Sequence, residues 1–127
     1  MIVLDASAAV NGILGDGAAR QALHDSGLHA PHLIDTEILH AVRRRVLAND
    51  VTFDGGQDAL SAWQRVAVVR YSGWSFMQRA WELRDNVSAY DATYVALAEA
   101  LGCPLVTADA RLSNAAGIRC AITVLPD

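Results

Sequence analysis

Short apolar runs alternate along the chain with longer stretches in which apolar residues recur at helical spacing. Residues 2–4 and 104–107 are largely apolar runs, as in strands buried on both faces of a parallel sheet. Residues 66–71 and 121–125 contain many β-branched side chains and predict two more short strands. The alternation of strands and helices predicts an α/β fold with three layers, α/β/α, around a mostly parallel sheet of four or five strands.

Capping and turn residues locate the ends of the predicted helices. Ser7, Asp54 and Ser88 are suited to cap helix N-termini, and Pro31 is suited to open a helix. Gly102 stands where a helix ends. The predicted helices cover residues 8–10, 18–23, 33–45, 55–63, 75–84 and 89–101, with a glycine-containing break at 12–17 and a loop at 29–32.

The composition is that of a globular protein. Of the 127 residues, 53% are hydrophobic and 19% are charged, so we expect a single domain over residues 1–127. No apolar run approaches the roughly 20 residues of a membrane-spanning helix, and the N-terminus lacks the basic flank of a signal peptide. These features predict a cytoplasmic protein that does not enter the membrane.

The charged residues argue against a protein that coats nucleic acid by bulk electrostatics, because the net charge is −4. All ten basic residues are arginine, and lysine is absent. Arginine suits bidentate phosphate contact. A genome that favours arginine and alanine codons explains this bias more simply, so the bias alone assigns no function.

Two acidic residues occupy the same position relative to predicted strands. Asp5 follows the first predicted strand and Asp109 follows the third. In open α/β sheets ligands bind at this carboxyl edge, so the two carboxylates face one another if their strands are neighbours. Asp91, in the first turn of the predicted helix 89–101, can face the same edge. Glu37 lies on the apolar side of its own helix.

Each acid also has a structural explanation. Asp5 and Asp109 would cap the segments that follow them. Asp91 would interact favourably with the helix dipole, and Glu37 would face solvent. Three acids on one side of the sheet nevertheless favour a shared site, where like charges repel and raise one another's pKa values. Mg²⁺ or Mn²⁺ relieves this repulsion with oxygen ligands, and such a cation also binds phosphate oxygens and activates water. The charges therefore predict a divalent-metal site, but they do not identify its substrate.

Four segments carry a family resemblance, namely residues 1–8, 35–39, 83–98 and 105–112. In this order they resemble PIN-domain ribonucleases of the VapC toxin type, the toxin half of a bacterial toxin–antitoxin pair. The resemblance covers nearly the whole chain and implies a PIN-like fold. It also implies a Mg²⁺-dependent endoribonuclease that leaves a 5′-phosphate and a 3′-hydroxyl, which is consistent with attack by water.

The resemblance implies a role for each matching side chain. Asp5, Asp91 and Asp109 would bind Mg²⁺, with Mn²⁺ as a substitute, Asp109 directly or through water. Glu37 would polarise the attacking water or hold a second metal. The polar supports of this site would be Ser7 and Thr107, whose alternative roles are cap and strand-end hydrogen bonding.

The resemblance also implies partners. These are a homodimer partner and a cognate VapB-type antitoxin, whose C-terminal helical segment would lie in a groove and block the acidic pocket. Four aromatic residues could line this groove, namely Trp63, Trp74, Phe76 and Trp81. We expect at least half of them to pack in the core instead. Five arginines could contact the RNA backbone, namely Arg43, Arg44, Arg45, Arg84 and Arg111. For Arg43, Arg44 and Arg45, a position on a solvated helix face is the alternative.

Two other classes of function compete with this interpretation. A phosphotransfer receiver domain also places an aspartate after its first strand, but it needs a neighbouring acid and a late lysine, and this chain has no lysine. A catalytically silent PIN-like module that binds RNA or protein is the other alternative, and the presence of all four acids disfavours it. We expect residues 50–84, which match the family least, to determine the choice of RNA.

Overall fold

A parallel sheet forms the centre of the protein in a computed structural model that describes residues 1–25 and 27–126. The strands are β1 (Ile2–Leu4), β2 (Leu28–Pro31), β3 (Val69–Tyr71), β4 (Leu105–Thr107) and β5 (Ile122–Val124). The helices are α1 (Ala6–Leu14), α2 (Ala18–Ala22), α3 (Leu33–Leu47), α4 (Phe53–Gln64), α5 (Met77–Glu82) and α6 (Ala89–Leu101), with 3-10 turns at Gly73–Phe76 and Ala110–Asn114.

The strand order is β3-β2-β1-β4-β5, and all neighbouring strands are parallel. Helices α1 to α4 pack on one another and α5 packs on α6. Since crossovers between parallel strands are right-handed, the first group covers one face of the sheet and the second group covers the other. The predicted three-layer α/β/α fold is confirmed. None of the helices in the described ranges is long and apolar enough to cross a membrane.

The apolar runs of the sequence lie where their composition predicts. Strand β1 is central, between β2 and β4, and Val3 and Leu4 are completely buried. The strands predicted at 66–71, 104–107 and 121–125 are present as the shorter β3, β4 and β5. A buried β1 flanked by β4 brings the strand ends at Asp5 and Asp109 to the same edge of the sheet, as the strand order requires.

Strand β2 corrects the sequence prediction, which placed residues 29–32 in a loop and opened a helix at Pro31. A histidine and a proline interrupt the apolar pattern of this strand. The imidazole of His29 has a hydrogen-bond partner on the neighbouring strand, since its Nδ1 lies 2.7 Å from the hydroxyl oxygen of Tyr71 on β3. Pro31 ends the strand, and α3 begins at Leu33.

Helix α1 begins one residue after Asp5, which is its N-cap in place of the predicted Ser7. The predicted break at 12–17 is also wrong in part, because α1 continues to Leu14. Gly12 allows close packing rather than a break, since a Cβ there would lie 2.8 Å from the backbone oxygen of Ala19. The cap therefore fixes the Asp5 side chain at the start of α1.

The remaining helices follow the prediction with shifted ends. Thr52, not Asp54, caps α4 by accepting the Gly55 N–H. The helix predicted at 75–84 is a 3-10 turn followed by the short α5. Ser88 caps α6 and Gly102 ends it in the left-handed conformation, both as predicted. Helix α6 thus presents its first turn at a fixed position.

The Asp35 carboxylate joins α3 to β3 through an ion pair with Arg70 and to α4 through a hydrogen bond from Trp63, and this arrangement leads to a prediction about stability. Arg70 donates from Nε and Nη2 to the Asp35 carboxylate at 2.7 and 2.9 Å, and the Trp63 indole donates to it at 2.8 Å. Arg70 lowers the pKa of Asp35, so the pair stabilises the fold fully above the ordinary carboxyl pKa, and this stabilisation is lost as the pH falls from there through the lowered pKa. Asp35→Asn should cost on the order of 1 kcal/mol of unfolding free energy at neutral pH, since solvent screens this half-exposed pair.

Urea denaturation at several pH values measures this effect. The difference between wild type and Asp35→Asn should shrink below about pH 4, near the ordinary aspartate value of 3.8. Asp58→Asn, on the exposed surface of α4, provides the charge-matched control and should show no such difference. A constant difference between wild type and Asp35→Asn at every pH would show that the ion pair is not its cause.

Candidate active site

The side chains of all four predicted acids line one pocket of about 810 Å³. Asp5 follows β1 and Asp109 lies just beyond β4, so both sit at the carboxyl edge of the sheet. Asp91 is in the first turn of α6, and Glu37 is in the second turn of α3. The fold therefore brings together four carboxylates that are far apart in the sequence.

Asp5 is the most constrained of these carboxylates and is only 6% exposed. Its Oδ1 accepts the Ser7 N–H at 3.1 Å, and its Oδ2 accepts the hydroxyl of the fully buried Thr107 at 2.6 Å. The Ser7 hydroxyl lies 3.2 Å from the Thr107 hydroxyl and accepts the Ala108 N–H. These hydrogen bonds tie the end of β1 to the end of β4 and fix the orientation of the Asp5 carboxylate.

Glu37 is half-buried and has a partner that the sequence analysis missed. The buried Tyr94 hydroxyl donates to Glu37 Oε1 at 2.8 Å. Burial raises the pKa of Glu37, and the charges of Asp5 and Asp91 raise it further, against the lowering effect of the tyrosine hydrogen bond. Tyr94 lies three residues after Asp91 on α6, so helical spacing and the need of a buried hydroxyl for a partner could have identified it.

Asp91 experiences the charges of the other acids. Burial raises the pKa of Asp91, and the carboxylates of Asp5 and Asp109 raise it further. Ser88 accepts the backbone N–H of Asp91, and this cap fixes the turn that carries the carboxylate. Burial is the larger cause of the raised pKa values of Asp91 and Glu37, and the charges of the neighbouring acids add to it, as expected for acids that repel one another across the pocket.

Asp109 has a cation of its own. Arg111 donates from Nε to Oδ1 at 3.0 Å and from Nη2 to Oδ2 at 2.8 Å, and its hydrogen bonds lower the pKa of Asp109. Oδ1 also accepts the Arg111 N–H, so Asp109 caps the following 3-10 turn. Both interpretations of Asp109 from the sequence, a cap and a pocket residue, therefore describe its position.

The chemistry of the pocket fits a hard divalent cation, because it offers several carboxylate oxygens that repel one another. Within residues 1–25 and 27–126, no three carboxylate, imidazole or thiol groups stand close enough together to hold one ion. Two of the carboxylates already have protein partners, since Arg111 donates to Asp109 and Tyr94 donates to Glu37. Metal binding by Asp5, Asp91 and Asp109 therefore stays a prediction.

The aromatic and basic residues singled out in the sequence divide between core and surface. Trp63 is buried and Phe76 is partly buried against the core, whereas Trp74 is 80% and Trp81 is 68% exposed. The guanidinium of Arg84 lies 4.9 Å from the Trp81 ring centroid. Of the five arginines, the three that line the acidic pocket are Arg44, Arg45 and Arg111.

Comparisons with known proteins agree with this architecture. The PIN domain profile matches residues 2–118. Ribonuclease VapC9 of Mycobacterium tuberculosis (strain ATCC 25618 / H37Rv) is 52% identical over 126 residues, covering 99% of each chain.

Solved structures share the fold. The crystal structure of PAE2754 from Pyrobaculum aerophilum superposes with a TM-score of 0.72 at 25% identity, covering 97% of this chain and 83% of that one. The structure of VapBC2 from Rickettsia felis, bound to a DNA fragment from their promoter, has a TM-score of 0.69 at 14% identity, covering 99% and 100%. At 14% identity, this second likeness concerns the fold alone.

Proposed function

The chain belongs to the PIN-domain family and within it to the VapC ribonucleases, and from this premise we propose that its acidic pocket is the catalytic site of a metal-dependent endoribonuclease. In this proposal the protein is the toxin of a VapBC toxin–antitoxin pair. The observation that carries the proposal is the convergence of four carboxylates in one pocket at the carboxyl edge of a parallel sheet.

Asp5, Asp91 and Asp109 would hold Mg²⁺, or Mn²⁺ in its place. When bound, the cation would supply a water of lowered pKa and neutralise charge on the phosphate. Asp5 suits a ligand role because Thr107 and the Ser7 N–H leave further lone pairs free on its oxygens. Repulsion among the acids is the cost that cation binding would offset.

Glu37 would orient the attacking water and accept its proton. Tyr94 donates to Oε1, and Oε2 accepts no hydrogen bond among the described residues, so Oε2 is the less engaged oxygen for this task. The raised pKa of Glu37 suits a general base better than an ordinary carboxyl would, since proton acceptance improves as the pKa approaches the working pH. Tyr94 would keep the carboxylate aimed into the pocket.

We also propose that a VapB-type antitoxin binds this protein and that two copies form a homodimer. Both proposals rest on kinship with the VapC ribonucleases. Co-expression with the neighbouring reading frame, followed by affinity purification, tests the first proposal directly.

Cleavage of RNA in the presence of a divalent metal tests the main proposal. Purified protein, freed of any antitoxin, should cut a structured RNA with Mg²⁺ or Mn²⁺, and cleavage should stop when EDTA removes the metal. The products should carry a 5′-phosphate, because water and not the ribose 2′-hydroxyl is the nucleophile. Cleavage that continues in EDTA would contradict metal catalysis, and binding without any cleavage would favour the catalytically silent module.

A further inference from the structure

The three consecutive arginines of α3 divide between two surfaces of the protein. Arg44 and Arg45 line the acidic pocket. Arg43 lines a different cavity, an apolar one of about 420 Å³ between α3 and α4. At 100° per residue, the side chain of Arg43 points well away from the face that carries Glu37, whereas the side chain of Arg44 points almost along it.

The same face of α3 forms one wall of the pocket. Glu37, His40, Ala41 and Arg44 occupy positions i, i+3, i+4 and i+7, and all four line the pocket. At 1.5 Å of rise per residue, Arg44 lies about 10 Å along the helix from Glu37. The wall is therefore acidic where it meets the sheet edge and basic two turns later.

Arg44 and Arg45 are exposed, and neither side chain has an ion-pair or hydrogen-bond partner among the interactions of the described residues. Other arginines are engaged, since Arg70 binds Asp35 and Arg111 binds Asp109. The pocket thus contains two unengaged cations that the carboxylates at its other end do not neutralise.

The surface continues beyond these arginines. Arg45 and Asn11 line the acidic pocket and also an adjoining cavity of about 330 Å³ at the end of α1. The acidic Asp16 also lines this second cavity, where it lies 3.7 Å from Arg20. A nucleic-acid strand that continues from the pocket into this cavity therefore passes Arg44, which lines the pocket, and Arg45, which lines both.

We propose that Arg44 and Arg45 each bind one phosphate of the RNA backbone close to the scissile one, which presupposes the ribonuclease function proposed above. The carboxylates repel a polyanion, so the strand needs cations close by to hold it against the pocket. Guanidinium groups match phosphate geometry, and contacts of this kind fix the register of the strand without reading its sequence. Arg43, on the other surface, takes no part.

Salt dependence of RNA binding tests the proposal without requiring cleavage. The measurement is fluorescence anisotropy of fluorescein-labelled single-stranded RNA in EDTA, with two oligonucleotides of unrelated sequence. Each phosphate contact contributes about 0.7 to the slope of log affinity against log salt. Arg44→Ala and Arg45→Ala should each reduce this slope by about 0.7 for both RNAs, the double variant by about 1.4, and Arg43→Ala should leave it unchanged.

Conservative substitutions and a matched control sharpen the test. Arg44→Lys with Arg45→Lys should keep most of the slope because the charges remain. An equal loss in Arg43→Ala would overturn the proposal in favour of general surface charge, and a loss limited to one RNA sequence would overturn it in favour of base recognition. Unchanged slopes in the double variant, or no wild-type binding at low salt, would also overturn it.

Comparison of these binding data with the cleavage assay in Mg²⁺ or Mn²⁺ separates this inference from the proposed function. If the wild-type protein cuts RNA but the double variant keeps the full salt slope, the proposed function stands and the proposed phosphate subsite is wrong. If the salt slopes are as expected but the wild-type protein never cuts RNA, the proposed phosphate subsite stands and the proposed function is wrong.

Discussion

Asp5→Asn and Asp91→Asn should each lower the rate of RNA cleavage by about a thousandfold or more. Each substitution keeps the shape of the side chain but removes a negative charge from the pocket. A bound metal supplies several kcal/mol of charge stabilisation in phosphoryl chemistry, and a loss of about 4 kcal/mol corresponds to a factor of about a thousand. Single-turnover cleavage with Mn²⁺ measures the effect on the chemical step.

The two variants differ in what else they disturb. Asp5→Asn retains an oxygen that can accept the Ser7 N–H of the α1 cap, but it weakens the hydrogen bond from Thr107. The side-chain hydrogen bond of Asp91 is with Ser88, three residues away in the same helix cap, and joins no other strand, so Asp91→Asn is the cleaner test of charge. Asp58→Asn, outside the pocket, should cut as wild type does. Wild-type rates in both pocket variants would refute the assignment of the site.

The sequence alone was sufficient for the acids that follow strands. An apolar run that ends in an aspartate marks the carboxyl edge of a buried parallel strand, and Asp5 and Asp109 obey this rule. Ser88 and Gly102 likewise place Asp91, because both ends of α6 carry local signals. Glu37 has no such signal, and the sequence connected it to the others only through the family resemblance.

Tertiary contacts explain what the sequence did not predict. Strand β2 contains a polar imidazole, that of His29, which forms a hydrogen bond with Tyr71, and Gly12 permits the close approach of α2 instead of ending α1. The spacing of Tyr94 from Asp91 marks it as a candidate, but its pairing with Glu37 depends on the approach of α6 to α3, which local patterns do not encode. Helical geometry alone predicts that the side chains of Arg43 and Arg44 point in different directions. Which surfaces they line depends on how α4 and α1 pack against α3.

The acidic pocket should make the protein less stable without metal than it would be with fewer charges. Burial raises the pKa of Asp91, and so do its acidic neighbours, which means that folding disfavours its ionised form. For a carboxyl with a raised pKa, stability falls as the pH rises from the ordinary value towards the raised one. The whole cost is therefore present at neutral pH, and Asp91→Asn should unfold at a higher temperature than wild type in EDTA.

Divalent metal should reverse this order of stability. At a metal concentration about 100 times the dissociation constant, binding stabilises the folded state by about 2.7 kcal/mol. For a chain of this length, this corresponds to a rise in Tm of about 10 °C. Wild type should gain this increase in Mn²⁺, whereas Asp91→Asn, with one predicted ligand removed, should gain little and become the less stable of the two.

Thermal unfolding followed by circular dichroism, in EDTA and in Mn²⁺, measures both effects in one experiment. Asp58→Asn controls for the loss of a surface carboxylate and should follow wild type in both conditions. Equal Tm values for wild type with and without metal would contradict a metal site in the pocket, even if RNA cleavage were observed. A lower Tm of Asp91→Asn in EDTA would instead contradict the repulsion among the carboxylates, because removal of one charge would then have cost stability.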